Sequence, residues 1–142
     1  MKRFLLGMLA VCALAVARPA RAQGYVVIVN GNNAVKSLSK EQLTNIFLKK
    51  MVKWDGGVSI APVDQDKSSK VRESFTKVVH GRSVSAVDSY WQQQIFAGKD
   101  VPPPERDSDA DVIAFVKANA NAIGYIAAGV AVPADVKVIS GN

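Results

Sequence analysis

Between Asp64 and Arg72 the chain reads Asp-Gln-Asp-Lys-Ser-Ser-Lys-Val-Arg, placing two hydroxyls, three cations and two carboxylates within nine residues. The segment follows an apolar stretch ending at Val63 and precedes a run with helical spacing. The first amides of that helix, from Ser69 through Lys70 and Val71 to Arg72, therefore lack intrahelical partners. Such amides carry partial positive charge and attract anions. Ser68 and Ser69 add hydroxyl donors, and Lys67, Lys70 and Arg72 add full charges. The chemistry indicated is non-covalent capture of an oxyanion. A plainer reading has Ser69 only capping the helix, a contribution of about 1 kcal/mol, with the lysines solvated. Asp64 and Asp66 would repel an approaching anion.

Other chemistry-bearing residues point less far. Asp107, Asp109 and Asp111 alternate like the start of a calcium loop. That loop needs glycine at its sixth position and glutamate at its twelfth, where Val112 and Ala118 stand. Acidic residues in the first turn of a helix account for them. His80, the sole histidine, precedes Gly81 at a helix end, where a charged imidazole would favour the dipole. It has no nominated nucleophile or orienting partner, the serines lack a G-x-S-x-G elbow, and no H-E-x-x-H or H-x-x-E-H occurs. Neither an enzyme nor a cofactor is indicated. Lys49, Lys50 and Lys53 beside Trp54 form a patch that a lipid or nucleic acid would meet, against the plainer reading of solvated lysines at a helix end. Trp54, Tyr90 and Trp91 fit packing roles, and exposure of one would mark a contact surface.

These residues need a scaffold. Tyr25–Val29 is a β-branched run closed by Asn30-Gly31, which predicts a buried strand. Ser39-Lys40-Glu41-Gln42 is a capping box, with Leu38 and Leu43 placed as a staple, opening a helix whose apolar positions are Leu43, Ile46 and Phe47. Lys49 and Lys50 suit the negative pole of that helix. Val58–Val63 predicts a second strand with Pro62 at its end. Val71, Phe75, Val78 and Val79 predict a helix stopping at His80-Gly81, Ser85 opens a third helix, and Ser108 caps a fourth. Ala122–Ala127 and Val136–Ile139 predict closing strands. Alternation of strands with helices predicts an α/β domain with a mixed, mostly parallel sheet and flanking helices. Val27, Ile28, Val29, Leu43, Ile46, Phe47, Val71, Phe75, Phe115, Ile123 and Tyr125 are expected to share one core.

The amino terminus predicts export. Lys2 and Arg3, an apolar run of 14 residues from Phe4 to Ala17, and Ala20-Arg21-Ala22 have the order of a cleaved signal peptide covering residues 1–22. The run falls short of the roughly 20 residues a spanning helix needs. Val11 before Cys12 does not match a lipoprotein signal. Removal of residues 1–22 leaves a single domain over 23–142 without cysteine, which excludes disulfides and thiol chemistry. The net charge of +6 rests largely on Lys2, Arg3, Arg18 and Arg21; residues 23–142 hold 14 basic against 12 acidic side chains. That margin gives no footprint for nucleic acid.

Several fragments in one order resemble a known family. They are Leu38-Ser39-Lys40-Glu41-Gln42-Leu43-Thr44-Asn45-Ile46-Phe47-Leu48, Lys53-Trp54-Asp55-Gly56-Gly57, Ile60-Ala61-Pro62-Val63-Asp64, Arg72-Glu73-Ser74-Phe75 and Ala122-Ile123-Gly124-Tyr125-Ile126. The stretch from Trp91 to Gly98 is also similar to one common in short members. Together they resemble the substrate-binding proteins of phosphate ABC transporters over Val27 to Ala128. The resemblance implies one lobe of a type II periplasmic binding protein. It places Ser69-Lys70-Val71 where the family carries Ser-Gly-Thr, so the serine alone matches, and the family's preceding arginine and aspartate fall near Gln65, Asp66 and Lys67, with neither cleanly kept. It implies a periplasmic protein with Ser68, Ser69, Lys70, Val71, Arg72 and Asp66 about an oxyanion such as phosphate. An ABC transporter permease, a sensor or a second chain of the same kind would be its partner. The other reading is a non-catalytic interaction domain that kept the fold and lost the ligand, because a cleft that closes between two lobes is here an open surface.

Overall fold

A run of β-branched and aromatic residues favours extended backbone, and it forms the central strand, β1 (Tyr25–Asn30). The computed structural model describes residues 24–142; the expected signal peptide lies outside the described residues. On one side β1 pairs antiparallel with β6 (Ala122–Ala127), from Tyr25 opposite Ala127 to Val29 opposite Ile123. On the other it pairs antiparallel with β7 (Val136–Gly141), from Val27 opposite Ile139 to Asn30 opposite Val136. The short β2 (Ser37–Leu38) joins β7 in parallel and β3 (Ala61–Pro62) joins β6 in parallel, giving the order β2-β7-β1-β6-β3. A separate parallel pair joins β4 (Asp64–Gln65) to β5 (Glu105–Arg106). The sheet is mixed, as expected. Within the five-stranded sheet two pairings are parallel and two antiparallel, and the two long ladders, both made by β1, are the antiparallel ones.

The expected strand over Val58–Val63 is split. Only Ala61 and Pro62 join the main sheet, at its edge, where proline's missing N–H costs no ladder bond. Val58 and Ser59 instead fold back on Lys53 in a hairpin, with Trp54 N donating to the Val58 carbonyl at 2.8 Å.

Four helices flank the sheet. The capping box opens α1 (Lys40–Phe47): Gln42 N donates to Ser39 Oγ at 3.1 Å, and Ser39 N to Gln42 Oε1 at 2.9 Å. This helix stops before Lys49 and Lys50 and has no base in its last turn, so the expected dipole pairing is not made. Lys49 takes φ 54°, the left-handed position that ends a helix. α2 (Lys70–Phe75) runs on as a π-helical turn, Thr76–His80, stopped by Gly81 at φ 62°. Thr44 Oγ1 donates to the Val79 carbonyl at 2.9 Å within that turn, a side-chain intrusion of the kind that accompanies π-bulges. α3 (Val84–Phe96) is capped by Ser83, two residues before the expected start at Ser85. α4 (Asp109–Ala118) is capped by Ser108, as expected.

The alternation of β1 divides the expected single core in two. Val27 and Val29 face α1 and α2 with Leu43, Ile46, Phe47, Phe75, Ile123 and Tyr125. Ile28 faces the other way, toward Val63, Val112, Val116 and Ile126, with Phe115 packed at the margin. A Cβ on Gly124 would sit 2.7 Å from Val112 and 2.8 Å from Val63, so β6 needs glycine where α4 crosses it. On the opposite face Phe75 stacks on Tyr125 at 3.9 Å, and Phe47 meets both rings edge-on at 4.9 and 5.7 Å. This aromatic cluster lies directly behind the segment expected to hold an anion.

Candidate functional site

β4 feeds that segment into α2, and buried groups fix its path. The Gln65 side chain lies in the interior: Nε2 donates to Asp109 Oδ1 at 2.7 Å and to the Tyr125 carbonyl at 3.0 Å. Its Oε1 accepts from Ser69 Oγ at 2.8 Å, and Ser69 Oγ in turn accepts from Arg72 N at 3.3 Å. Ser69 is thus a helix cap with its one proton committed inward. Asp109, one of the three alternating aspartates, also accepts from Ala127 N at 3.2 Å and serves as a structural acceptor. Among the described residues no three metal-ligating side chains come together.

Arg72 does not reach solvent. It is 3% exposed, donates through Nη1 to the Gln65 carbonyl at 2.7 Å and to Glu105 Oε1 at 2.8 Å, and sets Nη2 3.5 Å from Asp64 Oδ2. Burial opposes its charge, but Asp64 and Glu105 outweigh that and hold the guanidinium protonated. Burial raises the Asp64 pKa above the ordinary carboxylate value, against the pull of Arg72 and hydrogen bonds from Tyr125 Oη and Gln65 N. The same burial, reinforced by Asp64, pushes the Tyr125 phenol well up. The cation expected to meet an anion instead closes an internal network joining β4, β5, β6 and α2.

The remaining candidates face outward. Ser68 donates its amide, at 2.9 Å, and its hydroxyl to Asp66 Oδ1, and these bonds hold the Asp66 carboxyl below its usual range. Lys67, in the loop before α2, pairs with Asp88 on α3 and ties that loop to the helix. Lys70 is 93% exposed and touches only Glu73, at 3.5 Å. Val71 tucks its side chain against the aromatic core, and its amide, like that of Lys70, has no hydrogen-bond partner among the described residues.

Between α2 and α3 lies an open hollow of about 690 Å³. Lys67, Ser68 and Ser69 line one side, Arg82, Ser83, Val84 and Ser85 the other, with Glu73 and Lys77 along α2 and the π-helical turn. The caps of both helices, Ser69 and Ser83, open onto it. The amides of Val84 and Ser85 also have no partner among the described residues. Sequence reading missed Lys77, Arg82 and Ser83. A signal for Lys77 was present, because Ser69, Glu73 and Lys77 recur every four residues on one helix face.

His80 departs from expectation. Burial first, and then the charges of Arg82 and Arg72, lower its pKa to about 4, so it is neutral and does not offset the helix dipole. Its Nδ1 lies 2.8 Å from Thr44 Oγ1. The same hydroxyl lies 2.9 Å from the Val79 carbonyl, so Thr44 ties the imidazole to the π-helical turn.

No family model and no curated protein matches the chain. Solved structures do. One is a Clostridium perfringens protein assigned as a phosphate ABC transporter substrate-binding protein and solved with bound phosphate: 24% identity, TM-score 0.66, covering 83% of this chain and 44% of that one. Another is an ABC-type phosphate transport receptor from Vibrio cholerae: 25% identity, TM-score 0.65, covering 83% and 46%. A third, assigned to phosphate binding in Planctomyces limnophilus, has 17% identity and TM-score 0.61, covering 84% and 41%. The chain therefore has the fold of a portion of the phosphate ABC transporter substrate-binding proteins, spanning less than half the length of these structures.

Proposed function

We propose that the chain is an exported, non-catalytic binding module that captures phosphate or a related oxyanion in the hollow between α2 and α3. The observation that carries this reading is the opening of two capped helix N-termini onto one hollow, with Lys77 and Arg82 against the lining carboxylate Glu73, and Lys67 paired with Asp88. Unpaired amides at Val84 and Ser85 supply neutral donors, and the cations supply charge. Arg72 and Asp66 act behind the site, as anchors of the loop carrying Ser68 and Ser69. The shared fold with a phosphate-bound protein supports the ligand class.

The hollow is open, so an ion held there stays partly hydrated, and binding is expected on the order of millimolar, about 4 kcal/mol. A partner that closes the hollow would tighten it; an ABC transporter permease, a sensor or a second chain of this fold each fits that role. The setting is the periplasm, reached with residues 1–22 removed, and intact mass of the processed protein tests that cleavage. Titration calorimetry with phosphate, sulfate and a neutral solute tests the binding. Heat from the anions alone supports the reading, and no heat from any of them rejects it.

A second reading, an interaction domain without a ligand, is favoured by one observation. Much of the loop is already paired internally: Ser68 with Asp66, Lys67 with Asp88, and Arg72 with Asp64 and Glu105. Absence of amide shifts with phosphate or sulfate at tens of millimolar would select it.

A further inference from the structure

Most of the exposed large apolar side chains fall in two stretches outside the lining of the hollow. Among the described residues seven large apolar side chains are exposed, and five belong to two stretches: Val52 and Val58 after α1, and Ile95, Phe96 and Val101 at the end of α3. The two stretches are neighbours. Lys49 Nζ lies 3.5 Å from Asp100 Oδ1, Tyr90 Oη donates to the Leu48 carbonyl at 3.3 Å, and Val52 and Asp100 wall one shallow depression. Val52 and Val58 share a hairpin in which Ile60 N donates to the Val52 carbonyl at 2.9 Å.

Phe96 stands out most. α3 buries Val87 and Trp91, and Phe96 falls on the other side of the helix, 96% exposed, just before Gly98 turns the chain at φ 66°. Nothing in the fold uses this ring. Lys49, Lys50, Lys53 and Lys99 lie in the same two stretches, against Asp55 and Asp100 alone. That excess of two equals the whole basic margin of residues 23–142. Lys50 already sits 6.0 Å over the Tyr90 ring, so its stem lies along α3.

We propose that this pair of stretches docks on an anionic membrane surface, with Phe96 and its apolar neighbours entering the headgroup layer and Lys50, Lys53 and Lys99 facing the lipid charges. Apolar side chains interleaved with lysines suit that layer, where stems and rings sink and ammonium groups stay with phosphates. A protein partner fits less well, because lysine is depleted from the centres of protein interfaces. A second copy fits less well again, because two-fold pairing would bring the lysines against one another.

Co-sedimentation of the protein, purified as the cell processes it, with vesicles tests the proposal. Vesicles of phosphatidylcholine containing one-third phosphatidylglycerol should carry it down, pure phosphatidylcholine should not, and added salt should release it. Phe96→Ser, at a side chain the fold does not use, should weaken partitioning about tenfold, in line with loss of a buried aromatic side chain. Lys50→Glu with Lys53→Glu and Lys99→Glu should abolish it. Lys117→Glu, on α4 across the sheet, should leave it unchanged. Equal binding to both vesicle types, no binding to either, or indifference to Phe96→Ser overturns the proposal. So does a concentration-dependent dimer that Phe96→Ser dissolves while the vesicles take up nothing.

Discussion

The two flanks of the segment from Asp64 to Lys77 hold the same kinds of residue and put them to opposite uses. On the inner flank Arg72, Asp64, Glu105 and Tyr125 form a closed network, and the arginine has no donor directed at solvent. On the outer flank Lys67, Lys77 and Arg82 border an open hollow beside two helix starts. A cation next to a helix start is therefore a binding group or a structural strut depending on burial, which charge patterning alone does not encode. The comparison predicts that inner-flank changes are read in stability and outer-flank changes in binding.

The largest effect is expected behind the inner flank. Phe75→Ala removes the ring that stacks on Tyr125 and meets Phe47 and Tyr25, and should cost about 3–5 kcal/mol, measured by urea unfolding. Arg72→Met should cost a similar amount, about 3–5 kcal/mol, because it strands the buried Asp64 carboxylate beside Glu105. If the variant unfolds like wild type, the network is not a strut and the contrast between flanks fails.

Acid should reveal His80 next. Its folded pKa of about 4 lies below the unfolded value of 6.5, so the unfolded chain takes up the proton first. Stability from this group is complete above pH 6.5 and falls as pH drops toward 4, by at most ~3 kcal/mol. Asp64, with its raised pKa, works in the opposite sense. Thermal midpoints across that window check the sign, and His80→Gln should flatten the slope. The smallest change expected is a gain. The Tyr25 hydroxyl is buried with no partner among the described residues, so Tyr25→Phe should stabilise by about 1 kcal/mol and raise the thermal midpoint.

Local features were legible in the sequence. Ser39 with Gln42, Ser69 and Ser108 cap the helices assigned to them, and the strand read from Ala122 to Ala127 has those bounds in the fold. Each depends on residues within a few positions of one another. What stayed hidden depends on distant pairings: β1 between β6 and β7, and Gln65 joining Asp109 to Ser69 across 44 positions. The candidate site was half legible for the same reason. Ser68 and Ser69 follow from strand-loop-helix order, whereas Arg82 and Ser83 reach the hollow only because α3 returns beside α2. The burial of Arg72 needed Glu105, contributed by β5 on the far side of α3 in sequence.

The central claim is that the outer flank binds an oxyanion, and phosphate titration followed by amide shifts tests it most directly, with Lys77→Glu plus Arg82→Glu as the paired variant. Phosphate and sulfate, but not a neutral solute, should shift the amides of Val84 and Ser85, which line the hollow, with a midpoint on the order of millimolar. The double variant should lose those shifts and keep its thermal midpoint, since neither side chain makes an ion pair or side-chain hydrogen bond among the described residues. Shifts that persist in the double variant, or that are absent from the wild-type protein at tens of millimolar, would contradict it.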